Sequence, residues 1–193
     1  LLGKLDFKNF TIRINNRKML KGLAKYCGFP EESYDDVFII LDKMDKIEMS
    51  GVEAELLEAG YDKEAVEKCK NLFETVTNDL DGVRYMKETL GDCLEEGVAE
   101  DLETIIQTVE KVKAADFKIA FDPTLVRGMS YYTGPIFEIS IDGFGGSVGG
   151  GGRYDEMIGK FTGQKTCACG FSIGFERIVM LLLERDYQVP SNA

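Results

Sequence analysis

The chain has 193 residues, a formal net charge of −11, and 44% apolar and 30% charged side chains. That balance suits one globular domain, or one domain interrupted by a smaller one. It contains no run of about 18 apolar residues for a membrane span, and acid and base break up the first ten residues before any signal-like apolar stretch. Leu1 stands where an initiator methionine would, which is expected of a piece of a longer protein.

The charge is unevenly spread. Residues 1–30 carry seven Lys/Arg and one Asp, residues 31–118 ten Lys/Arg and 25 Asp/Glu, and residues 119–193 six Lys/Arg and eight Asp/Glu. The acidic middle is a poor platform for a nucleic-acid backbone, so any RNA is expected to meet selected basic points instead. With no histidine in the chain, Ser-His and Cys-His nucleophile schemes are out. Cys27, Cys69, Cys93, Cys167 and Cys169 are scattered and read as free, buried packing thiols in a reducing compartment. No metal site is expected, since a zinc cage wants about four nitrogen or sulfur ligands.

Along the chain, Phe10, Ile12 and Ile14 alternate with Thr11 and Arg13, as in a half-buried strand. Asn15-Asn16 then offers a cap for a helix through Cys27, closed by Gly28 and Pro30. From about residue 31 to 115 the pattern is helical. Ser50-Gly-Val-Glu53 has the form of a capping box. Val66, Cys69, Leu72, Phe73, Val76 and Leu80 form one apolar stripe, and Leu102, Ile105, Ile106, Val109 and Val112 another. Strand character returns at Phe117, Ile119 and Phe121, and again from Pro135 to Ile141. A glycine tract follows, then a segment near Cys167–Ile173 that reads as a buried strand, and a helix from Gly174 to Glu184. The order gives an α+β antiparallel sheet domain interrupted by a helical insertion.

The chemistry-bearing residues cluster in the last third. Arg127 lies in LVRGMSYYTG, where its planar fork of donors suits a carboxylate or phosphate, or equally a structural ion pair. Tyr131 and Tyr132 would point in opposite directions if extended, one to a pocket and one to the core. Gly149-Gly-Gly-Gly152 is followed by Arg153-Tyr154-Asp155; it reads either as a turn or as backbone laid against a ligand. It matches neither a P-loop nor a Rossmann fingerprint. Arg177, after Gly174-Phe175-Glu176, could stack on an aromatic base or simply be solvated.

Taken together these segments resemble the histidyl-tRNA synthetases, a family of class II aminoacyl-tRNA synthetases. LVRGMSYYTGPIFE is similar to the family's first histidine-specific motif, GGGRYD to its second, and GFSIGFERI to class II motif 3. The resemblance runs over essentially the whole chain, strongest over residues 121–184. It implies a catalytic-core part at 1–30, a helical insertion domain at 31–116 and further catalytic core at 117–193. It implies that Arg127 is catalytic, contacting the ATP α-phosphate and the histidine carboxylate. Tyr132, Tyr154, Gly150, Gly151 and Gly152 would line the histidine pocket, and Gly174 and Arg177 would serve ATP. Ser130 departs from the family pattern, which has Asp before the tyrosine pair.

The same resemblance implies ATP as substrate, with Mg carried on it, and histidine and tRNA(His) as partners of a cytoplasmic homodimer without membrane association. Motifs 1 and 2 and an anticodon-binding domain are not in the chain, so residues 1–193 by themselves are expected not to aminoacylate. Two other readings use the same fold: a synthetase-like regulatory subunit of ATP phosphoribosyltransferase, and a pseudo-synthetase that senses uncharged tRNA. Arg127, Tyr132 and Arg177 argue against the first, and the acidic middle against the second.

Overall fold

The computed structural model describes residues 1–126 and 131–188. After a short 3-10 turn at Leu2–Leu5, strand β1 (Phe10–Asn16) runs directly into helix α1 (Arg17–Cys27). The Asn16 side chain caps α1 by accepting from the Lys18 amide, and Gly28 ends it at φ 95°. That left-handed conformation costs glycine little and suits the position after a helix.

Five helices fill the long excursion that follows: α2 (Tyr34–Leu41), α3 (Met44–Glu58), α4 (Lys63–Thr75), α5 (Leu80–Leu90) and α6 (Val98–Val112). Their apolar faces close on α1. Val37, Leu41, Val52, Leu56, Val66, Cys69, Val83, Met86 and Leu102 share one core with Met19, Leu20, Leu23 and Cys27. The chain then returns as β2 (Lys118–Phe121) and continues through β3 (Pro135–Ile141), β4 (Ser147–Arg153), α7 (Asp155–Thr162), β5 (Cys169–Ile173) and α8 (Phe175–Glu184). The strands form one sheet in the order β2-β1-β3-β4-β5. The β1–β2 pair is parallel and the other pairs are antiparallel. This is the α+β arrangement the element order predicts: a mostly antiparallel sheet interrupted by helices.

Five expectations need correction. The Ser50 capping box misses the helix start by about one turn: α3 is two helical segments joined by a kink at Glu48, with φ 58° and ψ 177°, and the second begins just ahead of Ser50. Both fully buried side chains of α3, Val52 and Leu56, come after that bend. The 66–80 stripe is not one helix either. Val76 is extended at ψ 136°, and Asp79 caps a new helix by accepting from the Gly82 amide and the Thr77 hydroxyl. A local cap outcompetes the propagation of a 3-4 pattern.

The glycine tract is not a turn; it forms four of the seven residues of β4, a strand flanked on both sides. The predicted β5 strand exists but is largely exposed, with Phe171 at 65%. Likewise Cys27 and Cys69 are buried, whereas Cys93 is partly exposed and Cys167 and Cys169 are exposed. The Cys69 thiol is pushed up by its hydrogen bond with Cys27 and by burial, which keeps Cys69 protonated and unreactive at neutral pH.

Leu102 is fully buried in α6 and Val112, at the other end of the same predicted stripe, is 71% exposed. Leu102→Ala should therefore cost about 2–5 kcal/mol of unfolding free energy, and Val112→Ala no more than about 0.5. Urea unfolding monitored by circular dichroism reads both values.

Candidate functional site

The strand register sorts the sheet into two unlike faces. Ile12, Ile139, Gly149 and Ile173 lie side by side, as do Ile14, Phe137, Gly151 and Phe171. This face is apolar, and Ile178 of α8 joins Phe10, Ile141 and Val148 in its core. On the other face, Arg13, Glu138, Gly150 and Ser172 line up, and beside them Asn15, Ile136, Gly152 and Gly170. Side chains alternate along a strand, so Gly150 and Gly152 leave the polar face bare where their neighbours would project. The polar face is thus a floor of backbone bordered by Arg13 and Glu138.

The glycines are required by close approach. A Cβ on Gly152 would lie 2.7 Å from the Pro135 carbonyl oxygen and 2.8 Å from the Tyr132 ring. One on Gly151 would lie 2.0 Å from the Gly170 carbonyl oxygen, and one on Gly170 would lie 2.3 Å from the Tyr154 hydroxyl oxygen. A central strand of glycines gives up roughly 0.5–1 kcal/mol per residue in chain entropy. At Gly152 and Gly170 only a hydrogen atom fits against Tyr132 and Tyr154, and at Gly151 only a hydrogen atom fits against the β5 backbone and Phe171.

Tyr132 and Tyr154 therefore meet the glycine floor at one end of β4. Tyr132 is 7% exposed and Tyr131 37%. Their rings do not diverge as an extended dipeptide would require; the centroids are 4.6 Å apart, and Tyr131 also meets Tyr154 edge-on at 6.2 Å. The two tyrosines are outside any strand, so period-2 alternation does not govern them. Tyr154 is held by its amide, which donates to the Ala168 carbonyl at 2.9 Å. Asp155 locks the same corner, accepting from the Ala168 amide and from Arg153 Nε, each at 2.8 Å. The Ala168 amide, more than Arg153, holds the Asp155 carboxyl below its usual range despite the opposing cost of desolvation. This contribution to stability is present above the ordinary carboxylate range and is lost as pH falls through the lowered value.

Arg177 stands at the opposite end of β4. It is exposed, near the start of α8, and its Nη1 donates to the Ser147 carbonyl. Gly174 bonds back to β4 through its amide and the Val148 carbonyl at 2.8 Å. Six residue steps along β4 put the Tyr154 and Arg177 ends about 20 Å apart. Arg127 and Ser130 lie outside the described residues. The geometry brings together Tyr132, Gly150, Gly152 and Tyr154, with Gly174 and Arg177 at the far end, whereas Gly151 faces the apolar side beside Phe137 and Phe171. Among the described residues no group of three acidic or thiol side chains is clustered to hold a metal ion.

A cavity of about 480 Å³ borders the tyrosine end, lined by Arg17, Lys18, Lys21 and Lys25 of α1 together with Tyr132, Thr133 and Glu156. Arg17 is buried over the Phe38 ring, 4.4 Å from its centroid, and pairs with Asp35 at 2.8 Å. Burial lowers its pKa, with Asp35 compensating in part.

Composition did not single out Arg13, Asn15 and Asp122. Arg13 Nε donates to Asp122, and its Nη1 and Nη2 reach Asp45 at 3.1 and 3.4 Å. Asn15 Nδ2 donates to the carbonyls of Pro123 and Leu125 at 3.3 and 3.0 Å. In the sequence Arg13 is only the polar position of an alternating strand; its partner lies 109 residues away. Burial disfavours the Arg13 charge, but the two carboxylates outweigh this and raise its pKa.

The Gly170–Tyr154 approach yields a direct test. Gly170→Ala should destabilise the fold by about 1–3 kcal/mol. In a Tyr154→Phe background, which removes the nearest atom, at least half of that cost should vanish. Additive costs in a double-mutant cycle of unfolding free energies would refute the contact.

The chain was compared with known proteins. The family model for histidyl-tRNA synthetase matches residues 1–178. The histidine–tRNA ligase of Leifsonia xyli is 45% identical over 186 residues, covering 94% of this chain and 43% of the relative. That of Christiangramia forsetii is 36% identical, covering 95% of this chain and 41% of the relative. The chain thus spans less than half the length of these curated relatives. A crystal structure of histidyl-tRNA synthetase from Nostoc sp. PCC 7120 superposes with a TM-score of 0.81 at 31% identity, over 97% of this chain and 45% of that one. A Bacillus halodurans structure described as an ATP phosphoribosyltransferase regulatory subunit/histidyl-tRNA synthetase shares the fold, with a TM-score of 0.76 at 21% identity over 94% of this chain and 46% of that one. By its matched residues, its level of identity and its fold, the chain belongs to the histidyl-tRNA synthetase family.

Proposed function

We propose that the protein containing this chain is a histidine–tRNA ligase, which activates histidine with ATP to histidyl-adenylate and transfers it to tRNA(His). The observation that carries this is the bare glycine floor of β4 with Tyr132 and Tyr154 at one end and Arg177 at the other. A flat floor without side chains suits a ligand laid along the strand. The tyrosine end offers hydroxyls to imidazole nitrogens, and a site built for such bonds rejects analogues that leave its groups unpaired. Arg177 at the far end would stack on the adenine, with Gly174 leaving room beside it.

Arg127 follows Val126 in the sequence, and we assign it the role of the reaction-centre arginine. Activation brings the histidine carboxylate against the ATP α-phosphate, two anions that repel. A preorganised guanidinium would offset that repulsion and bind the charge that builds on the phosphoryl oxygens. Mg would arrive with ATP as part of the substrate. For tRNA, Lys18, Lys21 and Lys25 beside the tyrosine end are the basic points available, whereas the surface of residues 31–116, taken as the insertion domain between core parts 1–30 and 117–193, is acidic. A cytoplasmic homodimer is the assembly the reading implies.

The regulatory-subunit reading shares the fold, but such a subunit need not keep Arg127, Tyr132 and Arg177, all of which this sequence has.

The test is histidine-dependent ATP–pyrophosphate exchange by the full-length protein, followed by charging of tRNA(His). Wild type should catalyse both. Arg127→Ala should lower the exchange rate by about 10²–10³ with little change in histidine affinity. Tyr154→Phe should weaken histidine binding and leave ATP binding intact. A full-length wild type without exchange activity would overturn the ligase reading.

A further inference from the structure

Residues 122–126 lead in sequence to Arg127, and this stretch has no regular secondary structure to hold it. Leu125 and Val126 are nonetheless buried, as is Asp122. What holds the stretch is one edge of β1. The Asp122 amide donates to the Ile14 carbonyl at 2.9 Å, continuing the β1–β2 pairing by one residue. The Asp122 carboxylate then works in two directions. Its Oδ1 accepts from the Thr124 amide at 2.9 Å and from the Thr124 hydroxyl at 2.6 Å, folding the chain into a tight turn. Its Oδ2 accepts from Arg13 Nε.

Arg13 in turn reaches Thr124 Oγ1 with Nη2 at 3.4 Å, faces Glu138 Oε1 at 3.7 Å across the β1–β3 pair, and is closed from outside by Asp45 of α3. Arg13 thus touches β3, the helical block and the 122–124 turn together.

The geometry points to Arg13 as a positioning residue for the reaction: through Asp122 it fixes the turn that delivers the chain to Arg127. It does so with the fork of the guanidinium, whose Nε and Nη2 engage two successive groups of the turn. A lysine has the charge but only one nitrogen, so it cannot hold both groups in this geometry. Small misplacement of a catalytic group is costly because reacting atoms must lie within a narrow range of approach. This inference rests on the ligase reading for its kinetic arm and on the turn alone for its structural arm.

The experiment compares wild type, Arg13→Lys and Arg13→Lys/Asp122→Glu in the full-length protein. Glutamate adds the reach that lysine lacks. Two quantities are measured: amide hydrogen exchange of residues 124–126, and the single-turnover rate of adenylate formation per titrated active site. For Arg13→Lys, exchange at 124–126 should rise at least tenfold while α1 stays protected, and the rate per active site should fall at least tenfold with the histidine KM within about twofold. The double variant should recover part of both. A merely structural role would lower the number of titrated sites and leave the rate at each site unchanged.

Unchanged exchange at 124–126 in Arg13→Lys overturns the clamp. Loosened exchange with an unchanged rate per site overturns the positioning role. Wild type that forms no adenylate sinks the ligase reading, and with it the positioning role, whereas the exchange arm still decides whether Arg13 holds the turn.

Discussion

The helical excursion between β1 and β2 can exist only if the chain finds its way back to the strand it left. That closure is made by backbone pairing of Thr11–Ile14 with Lys118–Phe121 and then, one residue further on, by the buried polar contacts of Arg13 and Asn15. Four strand residues alone give a short parallel ladder, and the loop they close is long. The entropy of loop closure rises only slowly with length, so a modest set of well-formed contacts suffices. The contacts also have to be polar, because the chain beyond β2 is irregular and its carbonyls need donors. Asn15 supplies two at once by bonding the Pro123 and Leu125 carbonyls.

A half-buried arginine beside a buried carboxylate contributes little to net stability compared with apolar packing, since desolvation offsets much of the attraction. What it contributes is direction. Arg13 engages Asp122, Thr124 and Asp45 at once, and only one arrangement of the turn satisfies all of them. The glycine strand makes the complementary demand. It has no side chains to contribute to packing, so its place between β3 and β5 depends on backbone bonds and on tyrosines that fit where a methyl group would not. The polar face is shaped by what is missing from β4 and by what β1 holds in place.

Much of this was legible from the residues. The alternation of β1, the Asn16 cap, the Gly28 stop and the helical periodicity up to residue 115 are local properties, and each appears as expected. The motifs around Arg127, Tyr154 and Arg177 also identified the family that the comparisons support. Other expectations failed where a local pattern has two outcomes. Four glycines lower the cost of a turn and equally permit a crowded strand. A 3-4 stripe through Val76 and Leu80 reads as one helix until Asp79 caps a second. The hydrophobic run of β5 reads as buried, yet its side chains stand exposed.

The sequence by itself determined most of the elements and the residue types of the candidate site, because capping, periodicity and side-chain type act over a few residues. Only the tertiary structure decided that Tyr132 is the buried tyrosine, that the glycines form a floor, and that Arg13 holds a turn 109 residues away. Those outcomes depend on which strands become neighbours. No local rule carries that information, since a contact between distant residues has a free energy only once the intervening chain has folded back.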